Sequence, residues 1–318
     1  MEQSRWRDDY PVMRRNVVMS LIAMVIMVVL YGLTMNAFFG ANPVGTTATD
    51  SNPLIVPAGY AFSIWGLIYL GLIIFPIYHW FRAPRNHLNL WRQIHSWYAL
   101  NVVCNGLWLV CASYDWLWLT VAIIVVMLIS LIMLNKHLIE LESVHGVQNY
   151  WLEKFPFSIY FAWITLATAL NISSALAFYD WNGLGISEIN WTIVIMIVAA
   201  AIAGYITYHK RDRAYAGVVV WAFLAIALRH TEEIMVISAT AYVVMGLFFV
   251  LIAWLSRQGC KFFIPIVVKW SRGILSGASY EFHFQEEKYA PRLRSLNISC
   301  FACRRAQSCL TTHDKNLG

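Results

Sequence analysis

Aromatic and amide side chains recur at helical spacing in three long apolar segments of this sequence. Within each segment they follow i, i+3, i+7 or a close variant, which places them on one face of an α-helix. The three sets are Phe62, Trp65 and Tyr69; Tyr98, Asn101, Asn105 and Trp108; and Tyr160, Trp163, Ala167 and Asn171. Two interpretations fit these faces. Asn amides bond across packed membrane helices, at about 0.6 kcal/mol each, or Trp and Tyr form the walls of a pocket in which Asn orients a flat ligand.

Ionisable side chains are placed differently. Asp, Glu, Lys and Arg stand near the ends of the apolar segments, and all nine histidines fall in loops, at helix ends or in the C-terminal tail. Ionisable groups deep inside a membrane segment would mark an ion or proton pathway. The pattern therefore disfavours an ion-coupled transporter, a membrane metalloenzyme and a haem held by a histidine at mid-membrane depth.

The elements that carry these faces are long enough to cross a bilayer. The chain is 59% hydrophobic and only 13% charged, whereas soluble domains carry roughly 25% charged residues. A spanning helix needs about 20 mostly apolar residues. Eight segments qualify, with the seventh the shortest: 17–37, 58–81, 94–112, 116–134, 155–178, 191–208, 214–228 and 234–255. The sequence thus predicts an all-α, polytopic membrane helix bundle of about eight transmembrane helices.

Loop charges orient this bundle. Lys and Arg collect before the first segment and in every second connection, while the alternate connections carry one at most. Since basic residues favour cytoplasmic loops, both termini are expected in the cytoplasm. We divide the chain into a cytoplasmic N-terminus (1–16), a five-helix core (17–180), three additional helices (181–256) and a cytoplasmic tail (257–318). The basic residues flank apolar segments, so membrane lipids, and not nucleic acid, are the expected partners.

Three motifs in this order resemble the TspO/MBR family, the translocator proteins or tryptophan-rich sensory proteins. Pro57, Trp65, Gly66 and Tyr69 stand at the spacing of that family's second helix. The third segment matches its Tyr-x6-Asn-x2-Trp pattern, and the run from Tyr160 to Asn171 looks like its fifth helix. The resemblance covers roughly 17–178, the first five helices, and the three added helices fit a longer branch of the family.

The resemblance implies a pocket on the outer face of a five-helix bundle, beneath the first loop. Relatives bind porphyrins and haem, and some bind sterols, so a porphyrin or haem is expected as a ligand and no cofactor is required. Carried over by position, the pocket residues are Trp65, Tyr69, Asn105, Trp108, Trp163, Ala167 and Asn171. Two departures stand out, since the first loop lacks the family's Trp and Ser63 replaces a proline of the second helix.

Other features keep alternatives open. The first loop (38–57) is either a lid or a solvated linker, and the tail's Cys300, Cys303, Cys309 and His313 suit a zinc site or free or acylated thiols. Small residues at 199–204 suit docking of the added helices on the core, or a homo-oligomer contact.

For function, the first hypothesis is a sensor or carrier that binds a flat hydrophobic small molecule. A transporter of a neutral or lipophilic solute and a scaffold are the alternatives, and an enzyme acting on a tetrapyrrole ranks last because no catalytic constellation is evident.

Overall fold

The computed structural model contains eight α-helices in the part of the chain that it describes. Its backbone covers residues 2–36, 38, 53–82, 86–144 and 149–275, and its side chains cover the same ranges from residue 11 to residue 257. The helices are α1 (Glu2–Met35), α2 (Ile64–Phe81), α3 (Leu88–Ser113), α4 (Leu117–Val144), α5 (Phe155–Phe178), α6 (Glu188–Lys210), α7 (Arg213–Arg229) and α8 (Met235–Leu275). Short 3₁₀ turns at Gly59–Ser63 and Gly183–Gly185 and a π-helical turn at Tyr150–Lys154 complete the secondary structure.

Each helix covers most of one of the eight segments predicted from the sequence, so the all-α polytopic bundle is confirmed. The largest difference is in the second segment, where the 3₁₀ turn Gly59–Ser63 precedes α2. Six helices are long and apolar enough to cross a membrane by themselves. The other two are α3, which carries buried Asn and His side chains, and α7, which has only 17 residues. Both pack between neighbouring helices, and that packing reduces the apolar surface they must present to lipid.

The first five helices form a closed ring. Around the ring α1 packs on α2, α2 on α5, α5 on α4, α4 on α3, and α3 returns to α1. The ring brings the faces of α2, α3 and α5 that carry the Trp, Tyr and Asn residues towards a common interior. Apolar side chains such as Ile68, Leu72 and Tyr98 fill it and are fully buried.

The three added helices pack on the α5 side of this ring. α7 makes the most extensive contacts with α5 and with α8, and α6 packs against all three of these helices less extensively. Asp212 begins α7 by accepting hydrogen bonds from the backbone N–H groups of Ala214 and Tyr215, and its second oxygen accepts one from the Ser158 hydroxyl of α5. The cap that starts α7 therefore also fastens it to the core.

Small residues of α6 allow close packing within the chain. Ala199 lies beside α5 and α7, while Gly204 faces Phe248 of α8. The contact of Ala199 agrees with docking of the added helices on the core, and the homo-oligomer contact stays a prediction.

Two helices extend beyond the segments predicted to span the membrane. α1 begins at Glu2 and therefore includes most of the segment that we had assigned to a separate N-terminus, and α8 continues past residue 256 to Leu275. Hydrogen-bonded helices extend beyond the hydrocarbon whenever the flanking residues accept helical geometry, so hydropathy underestimates their length. The centre of the first loop and the Cys-containing tail lie outside the described residues.

Candidate functional site

Asn105 of α3 connects three helices inside the ring. Its amide Nδ2 donates to the hydroxyl of Tyr160 on α5 (2.9 Å), and its Oδ1 accepts from the hydroxyl of Tyr69 on α2 (3.3 Å). Asn105 and Tyr160 are fully buried. A buried amide without partners would cost several kcal/mol in this environment, so the two tyrosines fix the orientation of Asn105 and bind the three helices together.

Aromatic rings continue from this amide towards the start of α2. Trp65 stacks on Tyr69 with ring centroids 5.2 Å apart, and it meets Tyr160 edge to face at 6.0 Å and Trp163 at 6.3 Å. Phe62 also meets Trp163 edge to face at 5.9 Å. Edge-to-face and stacked pairs within 7 Å are attractive geometries for aromatic rings. We call Trp65, Tyr69, Asn105, Tyr160 and Trp163 the aromatic cluster.

A small apolar cavity lies on the far side of Trp163. Its volume is about 40 Å³, and it opens between α5 and the added helices α6 and α7. Trp163 and Ala167 line it from α5, Ala199 from α6 and Phe223 from α7, and Pro57 lines it from the segment before α2. Trp163 is only 3% exposed, and its indole N–H has no hydrogen-bond partner among the described residues. The cavity lining is thus mostly apolar, and one of its residues carries a buried donor without a partner in the described part of the chain.

Residues 54–61, which precede α2, lie over the cavity and are hydrogen-bonded to α7. Four hydrogen bonds join residues 54–61 to α7 and to the residue that follows it. They are Arg229 Nη1 to the Val56 carbonyl (2.7 Å), His230 Nε2 to the Leu54 carbonyl (2.7 Å), Trp221 Nε1 to the Ala61 carbonyl (3.1 Å), and Ala58 N–H to the Ala225 carbonyl (3.1 Å). The added helices therefore determine where this segment lies over the cavity.

The structure places the seven residues predicted from the sequence in three groups. The first group belongs to the aromatic cluster and consists of Trp65, Tyr69, Asn105 and Trp163, of which Trp163 also lines the cavity. The second is Ala167, which lines the cavity one turn further along α5.

The remaining two residues have other neighbours. Asn171 accepts a hydrogen bond from Thr120 of α4 (2.9 Å), and the buried indole N–H of Trp108 has no partner in the described part of the chain. The packing interpretation fits Asn171. It also fits Asn101, whose amide Nδ2 donates to Ser130 of α4 at 2.8 Å.

A second polar arrangement was missed in the sequence. The side chain of Ser20 on α1 is 2.9 Å from His95 Nδ1 on α3, His95 Nε2 is 2.9 Å from His79 Nδ1 on α2, and His79 Nε2 is 3.3 Å from the Glu153 carboxylate. All four residues are at most 1% exposed. The histidines do stand near helix ends, as expected, but the neighbouring helices bury them. The only sequence signal was the presence of His and Glu at the same end of adjacent segments.

The fold and these sites define a polytopic α-helical membrane protein with aromatic and amide side chains clustered inside its first five helices. The model of the family described as TSPO-like protein matches residues 17–254, and the chain belongs to this family. The match confirms the resemblance and extends it from the first five helices through α6, α7 and the first half of α8. Searches of curated proteins and of solved structures gave no match.

Proposed function

We propose that this membrane protein binds a flat, mostly apolar small molecule, such as a tetrapyrrole, between the aromatic cluster and the added helices. Trp163 carries the proposal, because it belongs to the cluster, lines the cavity and has a buried N–H without a partner. A ligand with one acceptor atom would satisfy that donor, which is otherwise costly to bury. Binding of this kind suits a sensor or carrier and requires no catalytic group.

The size of the cavity restricts how a ligand binds. About 40 Å³ has room for a few water molecules at most, whereas sites for drug-sized ligands measure roughly 300–1,000 Å³. A tetrapyrrole can therefore bind only if α6, α7 and residues 54–61 move away from α5. The four hydrogen bonds between α7 and this segment imply that these parts move together.

The orientation in the membrane is part of the same proposal. Eight spanning helices place the two chain ends on one side of the bilayer, and the positive charges of the loops put that side in the cytoplasm. The cavity lies beside the middle of α5, and Ile55 and Pro57 of the first connection also line it, so it then extends from mid-membrane depth towards the outer side.

Binding to the purified protein in detergent tests the proposal. Protoporphyrin IX is titrated while its own absorption and the tryptophan fluorescence are followed. Trp163→Phe keeps a ring but removes the N–H, and Trp163→Ala removes the wall of the cavity. We expect the dissociation constant to rise about fivefold for the first and tenfold or more for the second, from a lost hydrogen bond and a lost aromatic contact.

Two further variants complete the experiment. Asn105→Leu should weaken binding by about fivefold, because it releases Tyr69 and Tyr160 from the positions in which they support Trp65. Trp116→Phe is the matched control, because Trp116 is exposed and stacks on Tyr114 away from the cluster. If the control and the cavity variants bind equally, the aromatic cluster serves packing alone. Saturable binding by none of the proteins would direct attention to transport or scaffolding.

A further inference from the structure

Four buried side chains form a continuous hydrogen-bonded chain that the proposed ligand site does not use. It runs from Ser20 through His95 and His79 to Glu153, and so joins α1, α3, α2 and the turn before α5. The second oxygen of Glu153 accepts a hydrogen bond from the backbone N–H of Asn149 at 3.1 Å. Each member therefore has a partner on both sides, or a backbone group at the end.

With Glu153 ionised and both rings neutral, the hydrogens of this chain have one arrangement. A carboxylate only accepts, so His79 must donate from Nε2 and keep a lone pair on Nδ1. His95 must then donate from Nε2 to that lone pair, and its own Nδ1 accepts from the Ser20 hydroxyl. In this state every hydrogen points towards Glu153, and the chain carries one buried negative charge.

Nearby charges do not neutralise that carboxylate directly. Arg14 on α1, Arg82 on α2 and Arg92 on α3 are exposed, and Lys154 is paired with Glu142 of α4 at 2.6 Å. The hydroxyl of Tyr98, a turn from His95, donates to the Leu72 carbonyl. The Tyr78 phenol interacts electrostatically with both Glu153 and Arg82. Among the described side chains, the ion-pair partner of Glu153 is His79.

We propose that this chain is a proton-binding site that takes up one proton without losing a hydrogen bond. The geometry at Ser20 makes this feasible, since its hydroxyl has a second acceptor, the carbonyl oxygen of His95 at 3.3 Å. The added proton binds His95 Nδ1 and is donated to the oxygen of Ser20, whose own hydrogen turns to that carbonyl. The proton on His95 Nε2 then passes to His79 Nδ1, which leaves a doubly protonated His79 beside the Glu153 carboxylate.

The balance of charge limits the site to one proton. The first brings the buried chain from a net charge of −1 to zero and creates a contact ion pair, which removes an uncompensated buried charge. A second would bury a net positive charge with no further acceptor at Ser20. Replacing Glu153 by Gln sets the charge to zero at the start, so proton uptake by the histidines would then be unfavourable.

Other roles for the same residues fail on geometry. A serine–histidine–carboxylate relay can activate a nucleophile, but Ser20 is fully buried between α1 and α3, where no acyl substrate can reach it. In the described part of the chain, no group of His, Cys, Asp and Glu side chains converges as a metal ion would require. The two nitrogens of His79 instead face different partners.

Nitrogen NMR of protein labelled with ¹⁵N-histidine tests the proposal in the full-length chain. Single His→Gln variants assign the signals of His79 and His95. Between about pH 8 and pH 5, the range in which histidine changes charge, we expect the pair to gain one proton in total. Glu153→Gln should abolish that gain. Ser20→Ala removes the acceptor for His95 Nδ1. In this variant the histidine pair should gain its proton at a pH about one unit lower, that is, at a roughly tenfold higher proton concentration.

The control is Glu140→Gln, which alters a different His–Glu pair. His137 and Glu140 lie on α4 at 3.7 Å, and the carboxylate is half exposed. This variant should leave the titration of His79 and His95 unchanged. The proposal is overturned if both rings of the wild-type protein stay neutral down to pH 5, or if each gains its own proton. It is also overturned if Glu153→Gln titrates like the wild type. Once the two signals are assigned, the wild-type spectra decide the first two outcomes even if Glu153→Gln or Ser20→Ala does not fold.

Discussion

Gly71 sets the distance between the two helices that carry Trp65 and Trp163, and replacing it by Ala should force them apart. A Cβ added to Gly71 of α2 would lie 2.5 Å from Cβ and 2.9 Å from Cγ of Pro156, at the start of α5. Ordinary contact of a Cβ begins at 3.4 Å, so α2 and α5 must separate by 3.4 − 2.5 = 0.9 Å at this point. The pyrrolidine ring cannot rotate away, because it is closed on its own backbone.

The expected change in the free energy of unfolding of Gly71→Ala is the balance of a steric cost and an entropic gain. Inserting a methyl group into a packed site typically costs about 1–3 kcal/mol. Replacing Gly by Ala in a helix gains roughly 0.5–1 kcal/mol through the smaller loss of backbone entropy. A Cβ added to Gly66 on the same helix would have nothing within 4 Å. Gly66→Ala should therefore gain the backbone-entropy stabilisation without the cost of a steric clash. The two variants should therefore differ in free energy of unfolding by about 1–3 kcal/mol, with Gly71→Ala the less stable.

Unfolding of the purified protein by sodium dodecyl sulfate in mixed micelles, followed by circular dichroism, measures this difference. Gly71→Ala should also weaken the protoporphyrin interaction, because a wider gap separates Trp65 from Trp163, whereas Gly66→Ala should not. If the two variants unfold with free energies within about 0.5 kcal/mol of each other, the contact between Gly71 and Pro156 does not set the spacing of α2 and α5.

The added helices give two further predictions. Asp212→Ala should lower the free energy of unfolding by about 2–4 kcal/mol in the same assay, since it removes both the cap of α7 and the bond from Ser158. Ser187→Ala, which removes a cap that makes no bond to the core, should cost only about 1 kcal/mol, and equal losses would contradict the proposed docking role. Arg229→Gln should speed hydrogen exchange at residues 54–61 because it removes the bond to the Val56 carbonyl, and unchanged exchange would show that α7 does not hold this segment.

Membrane spans could be predicted from the sequence because the bilayer constrains each segment of the chain separately. Every backbone N–H and C=O in the bilayer must bond within its own helix, so about 20 apolar residues in succession suffice to indicate a span. The alternation of basic and uncharged loops predicted even α7 as a span, although its 17 residues are too few to identify it by length and hydropathy. The face of α5 that carries Trp163 and Ala167 could likewise be read from helical periodicity, which depends on one helix at a time.

The order of the helices around the bundle could not be read in this way, because periodicity shows which side of a helix is distinctive but not which helix packs against it. The sequence therefore predicted a pocket among the second, third and fifth helices. That pocket stays a prediction. The cavity described above lies where α5 meets α6 and α7, and it shares Trp163 and Ala167 with the predicted set.

By itself, the sequence determined the class of protein, its helices and the family to which it belongs, since each is encoded in short stretches of chain. Tertiary structure alone decided how distant residues combine. His79 and Glu153 are 74 positions apart, and each resembles an ordinary polar residue at a helix end. They become a buried pair only because α2 and the turn before α5 pack together and exclude water, and burial is what turns a polar side chain into one that requires a partner.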